Sequence, residues 1–196
     1  VQSMIPFLQN SPQLNVIYLS RSNSINTAVF DVLVNALNGR AIKELHLDKC
    51  SITDISSLGN VTLPCIKKIS LCNNNNLGLG YNIGDISSYT SLESLNLSHN
   101  NIGIDGCRAM AHLLQKEDTN LTTLNLNDNG VDDEGIEVLA NSLKHNTKLE
   151  LLNLEGNNNI TEIGFRAFLK LLSAWQPSIH FLRLMKTPAL SLMPLN

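Results

Sequence analysis

Seven times along the chain an aliphatic triplet recurs with the spacing L-x-x-L-x-L. The copies are Leu14-Ile17-Leu19, Ile42-Leu45-Leu47, Ile66-Ile69-Leu71, Leu92-Leu95-Leu97, Leu121-Leu124-Leu126, Leu149-Leu152-Leu154 and Ile179-Leu182-Leu184. Their starts lie 28, 24, 26, 29, 28 and 30 residues apart. Three residues after the last Leu stands Asn74, Asn100, Asn129 or Asn157, with Cys50 in the second repeat. An apolar residue follows two places later at Ile52, Ile102 and Val131, and one place later still at Ile25, Leu77 and Ile160. One such triplet is weak evidence, because any amphipathic segment produces one. Seven in phase are a repeat architecture.

The spacing carries a geometry. The last two apolar positions of each triplet are two apart, so on a strand they face the same side, inward, and the residues between them face out. The outward central row then reads Tyr18, His46, Ser70, Asn96, Asn125, Asn153, Arg183. Its neighbours are Val16, Glu44, Lys68, Ser94, Thr123, Leu151, Phe181 on one side and Ser20, Asp48, Cys72, Ser98, Asn127, Glu155, Met185 on the other. An Asn just past the strand has both a donor and an acceptor. Buried at a turn, it can satisfy its own loop and the next repeat's backbone, so Asn74, Asn100, Asn129 and Asn157 are expected to form a structural ladder. Cys50 fits the same slot as a small buried group.

Three repeats continue with a Gly four residues after the trailing apolar residue: Gly106, Gly135 and Gly164. Apolar residues then follow at helical spacing, Met110-Leu113-Leu114, Leu139-Leu143 and Phe168-Leu171-Leu172, and Phe30–Leu37 reads as a fourth helix. Asp105, Asp132–Glu134 and Glu162 stand at the starts, where carboxylates cap free N–H groups. In the two shorter repeats the segments Thr53–Gly59 and Gly84–Ser88 are Ser-rich and too short for full helices. A thinner convex side there predicts a flatter joint around residues 48–90.

On these residues the chain resembles the leucine-rich repeat family over essentially its whole length. The long units resemble the ribonuclease-inhibitor-like class, and the D-I-S segments resemble shorter repeats that return by a 3-10 turn. The resemblance implies an α/β fold: a right-handed leucine-rich-repeat solenoid, or horseshoe. A seven-stranded parallel sheet lines its concave side, with helices and 3-10 turns on the convex side. The expected organisation is one domain over 1–196, a segment of a longer solenoid. Residues 1–9 are the tail of a preceding repeat, 14–184 the seven repeats, and 185–196 a C-terminal cap or a truncated repeat.

Composition limits function. The 34 Leu and 26 Asn are placed by the repeat, and only 16% of residues are charged, against roughly 25% in an average domain. With 14 basic and 17 acidic side chains there is no basic footprint for nucleic acid. No apolar run is long enough for membrane insertion. The five histidines lie in five different repeats, the four cysteines form no C-x-x-C, and no nucleophile-elbow or phosphate-loop motif occurs. No metal, cofactor, small-molecule substrate or enzymatic activity is called for.

The resemblance implies a protein partner held on the concave face, a protein–protein interaction module. The candidate contact residues are Tyr18, His46, Asn96, Asn125, Asn153, Leu151, Phe181, Arg183 and Met185. Leu151, Phe181 and Met185 beside Arg183 have the composition of interface anchors, or else pack under the C-terminal tail. The column Asn96, Asn125, Asn153 is an amide ladder between strands or a row of ligand donors, the ladder being favoured. Glu44 beside Lys68 and His99 beside Asp128 read as cross-strand pairs. Sequons at Asn60, Asn96, Asn120 and Asn159 leave open a secreted or cell-surface receptor segment, although their number is near chance and cysteine usage leans to an intracellular setting. A small-GTPase regulator is a third reading, which no residue here matches in role.

Overall fold

A computed structural model describes residues 4–74, 77, 86, 88–175 and 180–183. Seven three-residue strands form one parallel sheet in sequence order: β1 Val16–Tyr18, β2 Glu44–His46, β3 Lys68–Ser70, β4 Ser94–Asn96, β5 Thr123–Asn125, β6 Leu151–Asn153 and β7 Phe181–Arg183. The register never slips. Val16, Glu44, Lys68, Ser94, Thr123, Leu151 and Phe181 lie side by side, as do Tyr18, His46, Ser70, Asn96, Asn125, Asn153 and Arg183. The middle residue of each strand points inward, and those of β1 to β6 are buried. The sheet is open, and the architecture is that of a leucine-rich-repeat solenoid.

The other wall is built by α1 Met4–Gln9, α2 Thr27–Ala36, α3 Gly103–Leu114, α4 Asp133–Ser142 and α5 Glu162–Trp175, with a 3-10 helix at Ser56–Asn60. One apolar core runs the length of the described chain between helices and sheet, from Leu8 to Phe168. Each Leu or Ile fully buried there contributes about 2 kcal/mol of transfer free energy. Helix α2 begins three residues before the aliphatic spacing suggests, because the Asn26 side chain accepts a hydrogen bond from the Val29 N–H at 3.0 Å and caps it. Asp132 does the same for α4, accepting from the Gly135 N–H at 2.9 Å. In the short second repeat Asp54 accepts from the Ser56 N–H at 2.7 Å and starts the 3-10 helix. Its counterpart around residues 78–85 lies outside the described residues, and with it most of the convex side of the expected flatter joint.

Two local features explain how closely the repeats stack. Two residues past each of the first six triplets the backbone turns left-handed, at Arg21, Lys49, Asn73, His99, Asp128 and Gly156, with φ between 50° and 74°. Such a residue costs about 1–2 kcal/mol when it is not glycine. The turn aims the N–H of each of the first five at a carbonyl of the next repeat, on Asp48, Cys72, Ser98, Asn127 and Glu155, at 2.7–2.8 Å. The sheet's ladder is thereby carried past the strand ends. On the helical side, a methyl at Gly164 would sit 2.1 Å from Asp133 Oδ1. That carboxylate bridges repeats by accepting from the Thr161 N–H at 2.7 Å and Thr161 Oγ1 at 2.6 Å.

Candidate functional site

The column just past the strands is closed on itself. Asn157 donates through Nδ2 to the carbonyls of Leu126 (2.9 Å) and Leu154 (2.8 Å) and accepts from the N–H groups of Asn129 (2.9 Å) and Val131 (3.0 Å). Asn129 donates to Leu97 (2.8 Å) and Asn127 (3.0 Å), with the Ile102 N–H at 3.4 Å from its Oδ1. Asn100 donates to Leu71 and Leu97 and accepts from the Asn74 N–H at 2.8 Å. Asn74 donates to Leu47 and Leu71 and accepts from the Ile52 N–H at 3.2 Å. Asn74, Asn129 and Asn157 have no exposed surface. Cys50 ends the series with weak S–H contacts to the carbonyls of Leu19 (3.5 Å) and Asp48 (3.7 Å). Burial pushes its thiol above the usual range, against hydrogen bonds from the backbone. Burial, with the Asp132 charge nearby, pushes the Cys107 thiol up to about 12. All four cysteines are free.

The outward face divides in two. At its N-terminal end the Tyr18 ring, 67% exposed, stacks on His46 with centroids 4.1 Å apart and planes 13° from parallel. His46 Nε2 lies 3.0 Å from Glu44 Oε2, and Lys68 Nζ lies 3.4 Å from Glu44 Oε1. The His46 hydrogen bond, assisted by Lys68 and opposed by desolvation, holds the Glu44 carboxyl below the usual carboxylate range. Beside this cluster Asp48 Oδ1 accepts from Ser70 Oγ and the Cys72 N–H, Ser70 Oγ accepts from Asn96 Nδ2 at 3.2 Å, and Asn96 Oδ1 accepts from Ser98 Oγ at 2.7 Å. The sequence gives no sign of the Tyr18–His46 stack or of the convergence on Asp48. Both follow from register, which sets Tyr18 against His46 and Ser70 against Asn96.

Asn96 Oδ1 also accepts from the Ser98 N–H at 3.1 Å, and toward the C-terminal end the amide oxygens do the same while the Nδ2 ends differ. Asn125 Oδ1 accepts from the Asn127 N–H at 3.1 Å, and Asn153 Oδ1 from the Glu155 N–H at 3.0 Å. Asn96, Asn125 and Asn153 do not bond to one another among the described residues, so the favoured inter-strand ladder is replaced by bonds to the backbone two residues on. An amide bond to its own exiting turn is shorter-range and satisfies an N–H that the strand end leaves free. Leu151 is half-buried and Arg183 exposed. Phe181 is placed by its backbone opposite Leu151; Met185 and the apolar tail lie outside the described residues. His99 Nδ1 and Asp128 Oδ2 are 3.2 Å apart on the exit rim.

Among the described residues no group of three or more His, Cys, Asp or Glu is placed to hold a metal ion, and no helix is long and apolar enough to cross a membrane. An open parallel sheet under a helical wall, repeated with invariant register, defines a solenoid repeat protein. A leucine-rich repeat model matches residues 90–111, 117–140 and 145–169, three consecutive units, and the parallel sheet is consistent with a leucine-rich-repeat protein. A comparison with curated proteins finds no match. Leucine-rich repeats generally mediate protein–protein interaction, and the family is typically a non-enzymatic module.

Proposed function

We propose that the chain binds a protein partner on the outward, concave face of its sheet, using the row Tyr18, His46, Asn96, Asn125, Asn153 and Arg183, with Leu151, Phe181 and Met185 at one end. One observation supports this most. The convex side is occupied by helices packed on the core, whereas Val16, Glu44, Lys68, Ser94, Thr123 and Leu151 all keep solvent exposure on the sheet. Strands about 4.8 Å apart make that face roughly 29 Å across six gaps, a width that suits an interface of standard size.

The test compares proteins captured from native extract by wild type, by Ser94→Arg/Thr123→Arg on the sheet, and by Glu137→Arg on the exposed side of α4. The expected result is a partner lost by the sheet variant and kept by the helix variant, with all three equally folded by circular dichroism. The opposite pattern refutes the concave-face reading.

A further inference from the structure

The two halves of the sheet face differ in what their polar groups have left to offer. In repeats two to four the outward groups are spent on one another: Lys68 and His46 on Glu44, Ser70 on Asp48, Asn96 on Ser70, and Ser98 on Asn96. In repeats five to seven the oxygens of Asn125 and Asn153 are turned back to their own loops, which fixes the Nδ2 edges, and neither Nδ2 has a partner among the described residues. Arg183, next in register to Asn153, is exposed and makes no ion pair among the described residues. Asn153 is 8% exposed, yet its Nδ2 keeps access to solvent, since the buried side-chain atoms without a partner among the described residues are Arg40 Nε and Ser57 Oγ.

We infer, resting on the concave-face reading, that the partner contact centres on repeats five to seven. The segment taken there is a neutral peptide stretch with a single carboxylate. The carboxylate meets the Arg183 guanidinium, which binds such groups through paired N–H donors, and main-chain carbonyls of the segment accept from Asn153 and Asn125. Two strand gaps make this donor row about 10 Å long, the reach of about three extended residues. The flanking charges select against a run of acids. Asp128 is tied to His99 at 3.2 Å and to Asn127 Nδ2 at 2.9 Å. Glu155 has no ion-pair partner among the described residues and repels any carboxylate placed away from Arg183. Leu151, on the entry side of the row, gives the segment an apolar edge to rest on.

The test is nitrogen-15 NMR of the whole chain, reading side-chain amide signals. The probes are three acetylated, amidated Gly-Ser peptides that differ only in one residue: Glu, Gln or Lys. The Glu peptide is expected to shift the amide signals of Asn125 and Asn153 and leave that of Asn96 in place. It should bind about tenfold more tightly than the Gln peptide, the difference a charge-assisted bond makes, while the Lys peptide gives no shift. Arg183→Ala should bring the Glu and Gln peptides level. Equal binding of the Lys peptide, a shift at Asn96 instead, or no shift with any peptide at millimolar concentration overturns the inference. A second arm uses the partner captured above. Asn125→Ala/Asn153→Ala/Arg183→Ala should lose it, and Lys68→Ala, on the exposed N-terminal half of the same face, should keep it. The reverse pattern overturns the placement alone, whereas retention by both variants overturns the concave-face reading itself.

Discussion

Within each of the fifth and sixth repeats two asparagines four residues apart lead opposite lives. Asn129 and Asn157 are fully buried, and Asn157 uses both ends of its amide on four backbone groups from two repeats. Asn125 and Asn153 face outward and use one oxygen each on their own chain. The residue type is the same and the free-energy consequence is not. Removing the inner amide strands buried carbonyls and N–H groups that no water can reach, whereas removing the outer one exposes an N–H that solvent can take up.

The comparison breaks most visibly at Asn157→Ala. With four bonds lost and their backbone partners left buried, the expected destabilisation is about 3–5 kcal/mol, read as a lowered urea midpoint. Gly164→Ala comes next, because its Cβ collides with the Asp133 carboxylate that bridges two repeats; about 1–3 kcal/mol is expected from the same titration. Cys50→Ala tests the weak end of the inner column. Only long S–H contacts disappear, so about 1 kcal/mol is expected, well below the loss at Asn157. If Cys50→Ala matches Asn157→Ala, the amide bonds are not what distinguishes the column. Asn125→Ala should cost less than about 1 kcal/mol, and a larger loss would show that the outward column is structural after all.

The smallest effect is electrostatic. Glu44 has a folded-state pKa depressed first by the His46 bond, with Lys68 adding to it. Its favourable contribution is therefore present above the ordinary carboxylate range and lost as pH falls through the folded value. His46→Ala should move the Glu44 titration upward by NMR with little change in the unfolding midpoint near neutral pH. An unmoved titration would mean that the stacked cluster does not couple the two residues.

Much of the fold is legible in single residues. The triplets mark the strands, Gly135 and Gly164 mark where helices approach a neighbouring repeat, and Asp132 marks the start of α4. Less of the face is legible. The periodicity places Asn96, Asn125 and Asn153 in one outward column, but an isolated Asn does not say which end of its amide is used. Asn96 donates to Ser70 only because register sets them side by side, and Asn125 has Asn96 and Asn153 for neighbours instead. The start of α2 is a similar case: aliphatic spacing finds Phe30, and the cap at Asn26 extends the helix backward. The left-handed turn at Arg21, Lys49, Asn73, His99 and Asp128 has no glycine to announce it, because the carbonyl of the next repeat, absent from any one repeat's sequence, stabilises it.

The sequence by itself determined the period, the inward and outward sides of each strand, and the asparagine just past it, because apolar burial and backbone periodicity act within one repeat. Tertiary structure alone decided which outward groups are spent and which are free. That depends on what the neighbouring strand presents within about 3 Å, and neighbours in the sheet are a whole repeat apart in the chain.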